Sequence, residues 1–201
     1  MKIKKRIPAL LLTTTLLAAC SGVMDSAQPA RQYYMLMPTK GVTASPETAR
    51  GPALSLSVGA IPGLDTDRVV AIDSDARLNH YANARWPDHL PEVLTSVIRR
   101  SLASSSQFSV VDEGTRASGD EWLLTLEVQQ FYGVQTTSGN TSSVEVGFSG
   151  SIECGQQQTS FRLSDSNPVA DERLSVVVAA HQRGLDNITR QLLQKVSESC
   201  S

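Results

Sequence analysis

The chain has few aromatic residues, 5% of its 201, and only three cysteines and three histidines. No run of about 20 apolar residues occurs, which excludes a bundle of membrane-crossing helices. Basic excess is also missing. The balance is 18 Lys+Arg against 20 Asp+Glu, a formal net charge of −2, which argues against general nucleic-acid binding. Compact catalytic signatures are absent as well. The sequence holds no HExxH, CxxC or P-loop, and His80, His89 and His181 are scattered. Gly147-Phe148-Ser149-Gly150 starts like a nucleophile elbow. Its second glycine comes one residue too early, and the segment alternates like a strand rather than turning into a helix. Asp65, Asp67, Asp73 and Asp75 form a local acidic cluster. It lacks the glycine and closing glutamate of a calcium-binding loop, so turn residues on a solvated edge is the better reading. The sequence therefore predicts no catalytic residue, no metal site and no cofactor. What it does hold is 40% hydrophobic and 19% charged residues, enough apolar material for one core.

The first nineteen residues stand apart from that core. Lys2, Lys4, Lys5 and Arg6 form a positive start, and a short apolar stretch from Ile7 to Leu17 follows. This is the anatomy of a secretory signal peptide, removed from the mature protein. Leu17-Ala18-Ala19-Cys20 resembles the bacterial lipobox, in which a signal peptidase cuts before the cysteine and acyl chains are attached to it. The resemblance makes Cys20 the lipid-attachment residue. Several acyl chains, at roughly 0.8 kcal/mol per buried CH₂, anchor a protein stably. Ser21 in place of aspartate implies, by the same resemblance, sorting to the outer membrane. Without the four signal cations the chain has 14 Lys+Arg against 20 Asp+Glu, a net of about −6, which suits a soluble domain held near a membrane and not one that lies on anionic lipid.

Removing Cys20 from the count leaves Cys154 and Cys200. Two cysteines in an oxidising periplasm suit a disulfide, and two separate thiols is the alternative. A bridge would close a loop of about 45 residues and stabilise by roughly 3–4 kcal/mol in the chain-entropy model.

Residues 20–31 read as the lipidated cysteine and a small, polar tether, and residues 32–201 as a single domain. Gln32 to Met37 predicts a first strand, and Thr39 to Pro52 a loop. Leu54, Leu56 and Val58 alternate with Ser55, Ser57 and Gly59, as in a half-buried strand. Arg68–Ile72 and Arg77–Tyr81 read as a hairpin about Asp73-Ser74-Asp75. Leu90, Val93, Leu94, Val97, Ile98 and Leu102 mark an amphipathic helix opened by Pro87 and Asp88. Phe108–Val111 is a short strand. Glu121–Tyr132 and Val144–Cys154 are two long alternating strands joined by a polar turn, which puts Cys154 on the apolar face. Phe161–Leu163 reads as a short strand before a Ser-Asp-Ser-Asn-Pro turn, and Leu174–Ala179 as a β-rich segment. Leu185, Ile188, Leu192 and Val196 make a second amphipathic helix ending near Cys200. The fold class is α/β: one domain with a mixed or antiparallel sheet packed by two main amphipathic helices.

Three groups of residues in this order resemble a known family. They are Tyr33-Tyr34-Met35-Leu36 soon after Cys20, Leu64-Asp65-Thr66-Asp67-Arg68-Val69-Val70, and Arg85-Trp86-Pro87-Asp88-His89-Leu90. Together they are similar to the ABC-type transport auxiliary lipoproteins, of the PqiC/YmbA type. Pro87 departs from the Ala or Glu more usual there. The resemblance implies a periplasmic α/β domain held at the outer membrane, without catalysis of its own. It implies partnership with an MCE-domain protein and ABC transporter subunits that move lipids or other hydrophobic molecules between the membranes, and for some members a homo-oligomeric ring. An envelope-assembly lipoprotein docked on a barrel or cell-wall protein is the competing reading. Trp86 has two readings, an anchor in the core or a partner or subunit contact, where tryptophan is enriched. Of Tyr33 and Tyr34, one is expected to face the core and the other an interface or solvent.

Overall fold

The computed structural model describes residues 30–39, 52–105, 107–111 and 121–200. Cys20, the expected signal segment and most of the expected loop after Thr39 lie outside the described residues. The domain is a single mixed sheet of eight strands packed with two helices. The strands are β1 (Gln32–Tyr33), β2 (Ala53–Ala60), β3 (Arg68–Ile72), β4 (Leu78–Arg85), β5 (Ser109–Val111), β6 (Trp122–Gln135), β7 (Thr141–Cys154) and β8 (Gln157–Pro168). The helices are α1 (Leu90–Ser104) and α2 (Leu174–Ser199).

The sheet forks at β6. Leu54 to Ala60 of β2 run parallel to Trp122 to Val128 of β6. Val70 to Ile72 of β3 run parallel to Tyr132 to Val134, further along the same edge. The opposite edge of β6 pairs antiparallel with β7, which pairs with β8. A bulge between Val128 and Gln130 lets one strand serve both branches. Before it, Leu124, Leu126 and Val128 are buried; after it the phase changes and Phe131 is buried. An extra residue in one strand shifts all later side chains to the other face, which is what a bulge does.

Both helices follow the apolar stripes. In α1 the buried residues are Leu90, Val93, Leu94, Val97, Ile98, Ser101 and Leu102. It begins at Leu90, later than Pro87 and Asp88 suggest, because the Leu90 N–H is taken by the Thr66 carbonyl at 3.1 Å. Pro91 sits in the first turn, where its missing N–H costs nothing. α1 lies over β2 and β5, and α2 over β7 and β8.

Four expectations are corrected. The segment Leu174–Ala179 is not β but the first turns of α2, which is 26 residues long. Three consecutive valines favour a strand by propensity, but Val177, Ala180, His181 and Gly184 are buried at helical spacing. The Ser-Asp-Ser-Asn-Pro stretch is not a turn. It is the end of β8, held in register against Ser143 to Gly147. Leu78 to Arg85 makes β4 longer than expected. The first strand is shorter, ending at Tyr33, because beyond Tyr34 the main chain leaves β4 and bonds to α2 instead.

Candidate functional site

The N-terminal segment, the start of α1 and the middle of α2 meet at one edge of the domain. The three sequence groups singled out above converge here. Tyr34 N–H donates to the Arg85 carbonyl at 2.8 Å. The Arg85 guanidinium donates to Asp67 at 2.8 Å, and the Trp86 N–H donates to the Asp67 carbonyl at 2.7 Å. Leu36, Leu64, Val69, Val70, Trp86 and Leu90 are all buried. Residues spread over more than fifty positions thus form one seam.

Trp86 is 1% exposed. Its ring meets Phe131 edge-on at 5.8 Å and His181 at 5.6 Å. That burial corrects the partner-contact reading: Trp86 anchors the entry of α1 in the core and presents no surface. Tyr34 is half-buried against the core with its hydroxyl donating to Gln32, whereas Tyr33 is 58% exposed.

His181, on α2, is fully buried. Its Nδ1 lies 3.0 Å from the Val177 carbonyl, so that nitrogen carries the proton. Nε2 has no hydrogen-bond partner. Burial pushes its pKa down to about 4, against which the Val177 contact works weakly. His181 is neutral here and packs as an aromatic, 4.9 Å from Phe131.

The segment from Tyr33 to Thr39 is strapped across this seam by side chains. Gln182 accepts the Met37 N–H at 2.8 Å and donates to the Met37 carbonyl at 2.9 Å. The Thr39 N–H donates to Ser101 Oγ at 2.9 Å, and the Thr39 hydroxyl to Asp186 at 3.0 Å. An open cleft follows, lined by Met37, Pro38, Thr39, Gln182, Asp186 and Arg190. On the solvent side of the strap Tyr33, Met35 and Met37 are exposed. No sequence motif marks Gln182 or Asp186. A polar pair at helical spacing is ordinary on a solvated face.

The remaining candidates separate. The acidic residues resolve into individual contacts: Asp65 with His89, Asp67 with Arg85, and Asp73 and Asp75 with Arg77. The Asp65 carboxylate raises the His89 pKa above its usual value. Among the described residues no group of three metal-ligating side chains gathers. Ser149 lies in mid-β7, opposite Glu127 and Arg162, and its hydroxyl accepts from Gln129 at 3.1 Å. Cys154 and Cys200 are brought together, with Cα atoms 5.7 Å apart, inside the span of a disulfide. Cys20 lies outside the described residues.

A family model described as the ABC-type transport auxiliary lipoprotein component matches residues 34–192. No curated protein matches the chain by sequence. An uncharacterised protein of solved structure is similar over 84% of this chain and 99% of its own, with 15% identity and a TM-score of 0.67. A DUF330 protein from Xanthomonas campestris is similar over 80% and 92%, with 18% identity and a TM-score of 0.65. A hypothetical protein from Chlamydia trachomatis is similar over 74% and 98%, with 13% identity and a TM-score of 0.50. At these identities the solved structures bear on the fold alone.

Proposed function

Because the chain belongs to the family of ABC-type transport auxiliary lipoprotein components, we propose that it is a non-catalytic, lipid-anchored part of an intermembrane transport system. Its cargo class is lipid or another hydrophobic molecule. Its partners are an MCE-domain protein and ABC transporter subunits, and its place is the periplasmic side of the outer membrane. Cys20 carries the acyl chains, residues 21–31 form the tether, and residues 32–201 form the working domain. Assembly of several copies into a ring belongs to the same proposal.

One observation supports this reading most. The residues that carry the family resemblance are used for building: Asp67, Arg85 and Trp86 bond or pack within the seam. What the seam offers outward is the apolar side of the strap, Tyr33, Met35 and Met37. That is the anatomy of an attachment and docking component, which needs position rather than chemistry.

The test is mild crosslinking of the tagged, acylated protein in membranes, detergent extraction and mass spectrometry of what comes with it. An MCE-domain protein together with ABC subunits is the expected result, and deletion should weaken the outer-membrane barrier. Barrel or cell-wall machinery without an MCE-domain protein would overturn it in favour of envelope assembly. Light scattering of the extracted protein reads out the ring.

A further inference from the structure

Tyr33, Met35 and Met37 are 58%, 67% and 56% exposed, and they alternate with Tyr34, Leu36 and Pro38, which turn inward. Among the described residues four large apolar side chains are exposed, and three of them are these. On a fraying terminus such exposure would carry little meaning. Here the backbone is fastened at Tyr34 to β4, at Met37 twice to Gln182, and at Thr39 to Ser101. The three side chains are therefore displayed in water as a fixed rail, roughly 13 Å long at strand spacing. A fixed apolar rail marks a contact surface.

One end is cationic, where exposed Arg31 precedes Tyr33. At the other, Arg190 and Asp186 both line the cleft beside Met37, so a charge of each sign stands there. An aromatic with a polar tip and two thioethers, next to Arg31, suit the headgroup level of a bilayer, where apolar bodies sink and polar tips stay wet.

The chain outside the described residues says which surface. Tyr33 lies 13 residues beyond Cys20. Fully stretched, that length reaches at most roughly 45 Å. We infer that Tyr33, Met35 and Met37 seat on the surface of the bilayer that holds the acyl chains of Cys20, so that the domain lies against its own membrane along this edge. The inference rests on the reading of Cys20 as lipid-modified. Three side chains do not hold a protein on a membrane alone. The anchor supplies the local concentration that makes a weak contact populated.

Methionine oxidation tests it. The acylated full chain is reconstituted in phosphatidylethanolamine/phosphatidylcholine vesicles and treated with dilute peroxide. The Cys20→Ser chain, mixed with the same vesicles, is the comparison. Sulfoxide formation at Met35 and Met37 is followed by mass spectrometry, with Met24 on the tether as the reference for peroxide access. The expected result is at least threefold slower oxidation of Met35 and Met37, relative to Met24, in the acylated chain only. Met37→Glu should then remove the protection of Met35. Equal rates, or slowing no greater than that of Met24, would overturn the inference. So would protection of the Cys20→Ser chain that rises with protein concentration without vesicles, which would assign the rail to a second copy. Failure of the acylated preparation to float with vesicles is a separate outcome. It removes the reading of Cys20 and this inference with it.

Discussion

The side-chain amide of Gln182 pairs with the main chain of Met37 as one peptide group pairs with another: it accepts the N–H at 2.8 Å and donates to the carbonyl at 2.9 Å. A helix thereby completes the hydrogen bonding of a segment that has left its sheet. The pair fastens the segment to α2, and Trp86 and His181 pack in the core behind it.

Gln182→Ala leaves both Met37 groups without their partner. Each neutral hydrogen bond has a net worth of about 1 kcal/mol, so the domain should lose roughly 1–2 kcal/mol in urea unfolding. Amide exchange at Met37 should accelerate while exchange in β6 and β7 changes only with global stability. Unchanged exchange at Met37 would mean that Leu36 and the hydrogen bonds of Tyr34 and Thr39 hold the strap without Gln182.

At Gly184 α2 passes close to β7. A methyl group there would lie 2.6 Å from Val146 Cγ2 and 3.0 Å from Val146 Cβ. Gly184→Ala gains about 1 kcal/mol of helix propensity, but overpacking of this kind costs typically 1–3 kcal/mol. Net destabilisation of about 1 kcal/mol is expected from denaturant melts. A more stable variant would show that α2 can lift off the sheet.

His181 makes stability pH-dependent. Its folded pKa of about 4 lies below the ordinary 6.5, so the unfolded chain takes up the proton first. Its full contribution is present above pH 6.5 and is lost as pH falls from 6.5 towards 4. The loss is about 3 kcal/mol at most, from 1.36 kcal/mol per pKa unit. His181→Leu, which cannot titrate, should flatten the curve of unfolding free energy between pH 4 and 6.5. An unchanged slope would place the acid sensitivity elsewhere.

Cys154 and Cys200 are proposed to be bridged. The intact protein should then resist alkylation until reduced and gain two alkyl groups afterwards. Replacing both residues with serine should cost roughly 3–4 kcal/mol of stability, the chain-entropy value for a loop of this size. Alkylation of both thiols without reductant would show that they are separate.

The alternating runs of β2 and β7, the hairpin of β3 and β4 and the stripe of α1 were legible because each buries one face, and burial of one face imposes a period on the sequence. Cys154 was placed on the apolar face by period two alone. Its approach to Cys200 required knowing that α2 packs over β7, a contact between distant parts of the chain.

Sequence by itself determined which residues are apolar at which spacing, and so which elements form and which faces they bury. Tertiary structure decided the rest. The valines from Val176 to Val178 are helical because α2 gains more by packing on β7 and β8 than those residues lose in propensity. Ser164 to Pro168 is strand because β7 supplies partners for its backbone. Trp86 became core rather than contact because Phe131 and His181 close around it, and Phe131 is there only because a bulge one turn of register earlier changed its face. Local pattern sets what each segment buries. Only packing sets what it is buried against, because that partner lies far away in the chain and leaves no local mark.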